Sequence, residues 1–140
     1  ASIGYIQMDK LEKFISSRKK NWEKINEVIL DMQDYFIPHR PTKNSEPSWF
    51  GYAITVKDNP KFSRDDIVKY LNENRVATRL MFGGNLIKQP AYKDKNFKIS
   101  GELINADVVM NSTFWIGVYP GLTSEMIEYM LDKIKAFVAS

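Results

Sequence analysis

From Met8 to Asp34 the apolar residues recur in steps of three and four: Met8, Leu11, Phe14, Ile15, Trp22, Ile25, Val28, Ile29 and Met32. That period lines them along one stripe of an α-helix. A helix over this span would run about 40 Å at 1.5 Å per residue. A small domain is narrower than that, so one end is expected to rest on something outside the domain. The stripe breaks at Arg18 and Lys19, where a bend or departure from the core is expected. Arg18, Lys19 and Lys20 lie among Glu12, Glu23 and Glu27 and read as a solvated face.

Pro38 and Pro41 end the helix, and residues 38–47 read as a polar loop. Phe50, Tyr52, Ile54 and Val56 then alternate with Gly51, Ala53, Thr55 and Lys57, the signature of a strand with one buried face. Ser63, with Asp65 and Asp66 behind it, caps a short helix to about Glu73 that buries Ile67, Tyr70 and Leu71. Asn74 is expected to end it in a left-handed conformation. A second strand follows, with Val76, Thr78, Leu80 and Phe82 alternating with Ala77, Arg79 and Met81. Residues 83–101 look irregular, and Glu102 to Met110 reads as a short helix. Phe114, Ile116 and Val118 mark a third strand, and Pro120-Gly121 a turn. Thr123 caps a final helix striped by Met126, Ile127, Met130, Leu131, Ile134, Phe137 and Val138. Three short strands with helices on one face make an α+β domain. The 140 residues suit a single such domain, 1–140.

Composition removes several chemistries. There is no cysteine, so no disulfide, thiolate metal site, iron–sulfur ligand or thiol nucleophile resides in this chain. The one histidine, His39, sits between Pro38 and Arg40 and cannot build a triad or a histidine metal site; an exposed structural role is expected. The carboxylate pairs Asp31/Asp34 and Asp65/Asp66 stand where helix ends explain them. A net charge of 20 − 17 = +3 does not argue for nucleic acid. No apolar run has the length of a membrane span, and no charged-then-apolar leader opens the sequence.

Two stretches resist a purely structural account. In residues 78–90, Arg79 leads into Gly83-Gly84-Asn85, with Gln89 beyond. A guanidinium, two amides and a flexible backbone suit a polar, anionic ligand; an ordinary strand end and turn is the alternative. Residues 112–121 are denser in aromatics than one strand needs, although core packing with a packed turn accounts for them too.

Residues 1–137 resemble the C-terminal part of the DegT/DnrJ/EryC1/StrS family, fold-type-I pyridoxal-phosphate enzymes that act on nucleotide-linked keto sugars. The opening block Ala1 to Leu11 is similar to the segment entering the helix that joins that family's two domains, and Phe14 and Arg18 fall where the helix carries similar residues. Pro47-Ser48-Trp49-Phe50-Gly51-Tyr52, Thr78-Arg79 through Gln89-Pro90, and Phe114 through Leu122 are more specific. They resemble the branch that removes the C3 oxygen of CDP-4-keto-6-deoxy-D-glucose in lipopolysaccharide dideoxysugar biosynthesis.

The resemblance implies a small C-terminal domain whose large, cofactor-binding partner domain is absent. It implies a parent enzyme that uses pyridoxal or pyridoxamine phosphate, with a histidine replacing the usual Schiff-base lysine. An iron–sulfur cluster and a reductase partner then supply electrons. It further implies a homodimer and a cytoplasmic location. None of those catalytic groups can be placed on this chain, so the domain alone is expected to be inactive. What the resemblance carries over is a cleft-bordering segment: Arg79 and Asn85 as substrate contacts, with Phe82 and Gln89 as lesser ones. Arg79 would meet the anionic or oxygen-rich part of the nucleotide sugar and Asn85 its hydroxyls. A sugar aminotransferase of the same family and a stand-alone binding module are the other readings.

Overall fold

The computed structural model describes residues 2–140; Ala1, part of the opening block, lies outside them. The helix expected over Met8 to Asp34 forms but is shorter at both ends, and a separate helix precedes it. Ser2–Met8 forms α1, the chain turns at Asp9 and Lys10, and α2 runs from Leu11 to Leu30. No side chain caps α2 at Lys10, and Ile3, Tyr5, Ile6 and Met8 are all exposed. Without a buried face, nothing holds α1 collinear with α2. At the other end α2 stops at Leu30, and turns bonded to the Ile29 and Met32 carbonyls steer the chain into a strand.

The interruption at Arg18 is a tether. Its Nη1 donates to the carbonyls of Trp49 (2.9 Å) and Val118 (3.1 Å). One turn on, the buried Asn21 donates to Tyr119 O at 3.0 Å. The polar residues that break the stripe thus tie α2 to two strand ends, where backbone carbonyls need donors.

The sheet has four strands, not three: β1 Phe36–Pro38, β2 Gly51–Val56, β3 Thr78–Leu80 and β4 Thr113–Gly117, in the order β1-β2-β4-β3, all antiparallel. β1 falls between the expected helix end at Asp34 and the loop expected over 38–47, and goes unmarked in the sequence because Pro38 reads as a terminator. On an edge strand its missing N–H costs the ladder nothing. β3 is shorter than the alternation through Phe82 suggests. Phe82 lies past its end at φ +46°, and Leu80 is exposed.

Ser63 and Asp66 close a reciprocal capping box on α3, Arg64–Glu73. The left-handed residue that ends α3 is Arg75 (φ +61°), not Asn74, which stays at φ −88°. α4, Ile104–Ser112, starts two residues later than expected and runs directly into β4. Thr123 caps α5, Ser124–Ala139, by accepting from the Met126 N–H.

Helices α2, α3 and α5 cover one face of the sheet. Ile25 and Ile29, Ile67 and Leu71, and Ile127 and Ile134 meet Tyr52, Ile54, Phe114 and Ile116 there, all essentially sealed from solvent. Met126 of the α5 stripe is exposed instead. Helix α4 contributes nothing to this core and buries no residue of its own.

Candidate functional site

The other face of the sheet is built from the complementary positions of the same strands. Registers set Ala53 opposite Trp115 and Trp115 opposite Arg79, so the three lie in one cross-strand row. Gly51 pairs with Gly117 in the next row. The Trp115 ring lies over Gly51: a Cβ there would come within 2.5 Å of the indole, so only glycine permits the approach. Trp115 Nε1 donates to Leu80 O at 3.2 Å, and Phe50 meets the indole edge-on at 5.2 Å between centroids. Phe50, Met81, Phe82, Trp115 and His39 frame a small pocket of about 80 Å³ over Gly51 and Ala53.

Arg79 stands exposed on this face, and its guanidinium makes no hydrogen bond or ion pair among the described residues. Phe82 is 83% exposed and holds a positive φ. A bulky residue in that conformation is rare and marks strain that the neighbouring turn must hold. An exposed aromatic, an uncommitted cation and a half-buried indole thus occupy one place on the outer sheet face.

The two amides stand differently. Asn85 is 2% exposed, and its Nδ2 donates to Asp107 Oδ1 at 2.8 Å. That amide is spent inside the protein rather than turned outward. Gln89 donates from Nε2 to Gly83 O at 2.7 Å, closing its own turn. Of the four candidates, Arg79 and Phe82 therefore face solvent, while Asn85 and Gln89 brace the loop between them. Sequence reasoning missed Trp115 as Arg79's neighbour and Asp107 as Asn85's partner. The aromatic density at 112–121 pointed to the first; no local pattern marks a contact 22 residues away.

His39 is half-buried rather than exposed. Its ring meets Trp49 edge-on at 4.6 Å and Trp22 at 6.2 Å, and Trp22 stacks on Trp49 at 4.7 Å. Its Nδ1 and Trp22 Nε1 are both buried without a partner. Burial holds the imidazole pKa below its ordinary 6.5. Beneath it, burial pushes the Tyr52 hydroxyl up to about 12, and that hydroxyl donates to Asn26 Oδ1 at 2.8 Å.

A pyridoxal phosphate group would need a phosphate cradle and a base over its ring. The outer face offers one free guanidinium, no lysine in its pocket and far less volume than the roughly 300–1,000 Å³ of a typical ligand site. These residues do not form a cofactor site on their own. No group of three or more metal-ligating side chains occurs among the described residues, and none of their helices is long and apolar enough to cross a membrane.

Residues 1–135 match the DegT/DnrJ/EryC1/StrS aminotransferase family. The lipopolysaccharide biosynthesis protein RfbH of Salmonella typhimurium is 39% identical over 137 residues, which is 98% of this chain and 31% of that protein. The dTDP-4-dehydro-2,6-dideoxy-D-glucose 3-dehydratase of Saccharopolyspora spinosa is 39% identical over 139 residues, 99% of this chain and 30% of that one. Among solved structures, the E. coli GDP-4-keto-6-deoxy-D-mannose-3-dehydratase with bound hydrated PLP matches at a TM-score of 0.82 and 26% identity, over 94% of this chain and 33% of that one. The chain thus spans about a third of the length of the curated relatives it matches.

Proposed function

This chain belongs to the DegT/DnrJ/EryC1/StrS aminotransferase family, and from that premise we propose that it is the C-terminal small domain of a nucleotide-sugar 3-dehydratase. Its part is to supply one wall of the substrate cleft, the outer sheet face with Arg79. The substrate class is a nucleotide-linked 4-keto-6-deoxyhexose, with the CDP sugar of O-antigen dideoxysugar synthesis as the specific candidate. Relatives named as 3-dehydratases of dTDP- and GDP-linked keto sugars support the reaction class.

The single observation that carries the proposal is the pairing of an unspent guanidinium with the half-buried Trp115 and the exposed Phe82 on the outer side of the sheet. A guanidinium binds phosphate or carboxylate oxygens in a two-pronged geometry. In this reading Arg79 receives the anionic part of the nucleotide sugar and Phe82 closes over the sugar to exclude water. Asn85 and Gln89 serve indirectly, by holding the turn, since their amides are bonded within the chain. The cofactor, its base and any iron–sulfur cluster belong to residues outside this sequence. A reductase partner, a homodimeric assembly and a cytoplasmic location complete the proposal on the strength of the resemblance.

The test is product analysis with the full-length enzyme, pyridoxamine phosphate and CDP-4-keto-6-deoxy-D-glucose. Loss of the C3 oxygen, read by mass spectrometry, is the expected result. A 4-amino sugar formed with glutamate as donor would replace this reading with a sugar aminotransferase. Absence of both turnover and sugar-nucleotide binding would leave only a binding module for other ligands.

A further inference from the structure

Between the end of β3 and the start of β4 the chain makes a long excursion, residues 81–112, and the core does not hold it. Residues 91–102 are all exposed, and α4 buries no side chain. Arg64 reaches the far end of α4 through the Met110 carbonyl at 3.4 Å, but the turn at the start of the excursion is tied to α4 through one carboxylate. Asp107, on α4, accepts from Asn85 Nδ2 at 2.8 Å and sits 2.8 Å from Lys88 Nζ. Beside it Gly84, at φ +58°, presses on Met110: a Cβ at this position would lie 2.5 Å from Met110 Cβ. The same face of α4, one turn apart, thus carries both the charge that clamps the turn and the methionine that seats it. Gln89 closes the turn internally through Gly83 O.

We infer that Asp107 is a positioning residue for the substrate wall, a latch that fixes the Gly83–Gln89 turn and, through it, the strained Phe82 and the end of the Arg79 strand. This inference rests on the proposed cleft role of Arg79. Its physical ground is that a buried amide donating to a carboxylate is a strong, directional bond, and that Asn85 would be buried and unsatisfied without it. Lys88 adds the second donor, so the turn is gripped from two sides. The wall's geometry then depends on a residue that need not touch the ligand.

A loosened wall weakens ground-state and transition-state binding alike, which raises KM and leaves kcat. In the full-length enzyme, Asp107→Ala should raise the apparent KM for the nucleotide sugar by about tenfold, the scale of one charge-assisted hydrogen bond, with kcat within about twofold. Amide exchange across residues 83–89 should quicken while that of β2 and β4 stays fixed. Asp107→Asn keeps an acceptor for Asn85 and should recover much of the loss. Lys88→Met, at a half-exposed position, should move KM the same way by less, and keeps the test available if Asp107→Ala does not fold. Unchanged KM and exchange in Asp107→Ala, with Arg79→Ala still raising KM, would overturn the latch and leave the cleft reading standing. If Arg79→Ala also left KM unchanged, the cleft reading would fail and the latch with it.

Discussion

The inner face of the sheet is covered by three helices, and its large residues are spent on packing except Leu80, exposed at the end of β3. Tyr52, Ile54, Phe114 and Ile116 show no exposed surface. The outer face, one residue out of register on the same strands, carries glycines, an alanine, a half-covered tryptophan and a free arginine. A strand has to serve both, because successive side chains point to opposite sides. The contrast teaches that the residues that build the core and those of the proposed substrate wall are separated here by a single step along the chain. A substitution on one face should therefore register almost wholly in one observable.

The largest test of that separation is Phe114→Ala. It removes a sealed aromatic from the core and should cost about 3–5 kcal/mol, read as a shift in the denaturant midpoint. A loss below about 1 kcal/mol would mean that the inner face is not the core. Arg18→Met removes the donor to two strand-end carbonyls and should cost about 2 kcal/mol; it asks whether α2 is tied to the sheet as firmly by polar bonds as by packing. Ser63→Ala breaks the capping box and should cost about 1 kcal/mol, seen in the thermal midpoint, with no effect on ligand binding.

His39 sharpens the comparison because it touches both faces, lining the outer pocket while resting on Trp22, Trp49 and Tyr52. Its folded pKa lies below the ordinary 6.5, so the unfolded chain takes up the proton first as pH falls. Its contribution to stability is present above 6.5 and declines as pH drops from 6.5 towards the folded value. Unfolding titrations should show that decline in the native protein and a shallower one in His39→Gln. The smallest stability effect belongs to Arg79→Ala. An exposed side chain without partners should cost under about 0.5 kcal/mol.

Much of the inner face was legible in the sequence. Alternation marked Tyr52-Ile54-Val56 and Phe114-Ile116-Val118, and Ser63 and Thr123 announced their helices, because period and capping are local properties. The misses were contacts made at a distance. Arg18 looked like a flaw in a stripe until the Trp49 and Val118 carbonyls came within reach of it. Pro38 looked like a stop until its edge position excused it. Asn85 looked like an outward-facing amide until Asp107 arrived from 22 residues on. Of the site, the strand carrying Arg79 was readable; the row it forms with Trp115 and Ala53 required the register. The family resemblance pointed to residues 79–89 as the proposed wall, and the geometry separated those that face outward from those that brace them.

The most direct test of the outer face as substrate wall is the steady-state kinetics of Arg79→Ala in the full-length enzyme, with its thermal midpoint measured alongside. The account predicts a rise in the apparent KM for the nucleotide sugar of about tenfold or more at an unchanged midpoint. An unchanged KM would contradict it, and so would a KM that rises only as far as the protein loses stability.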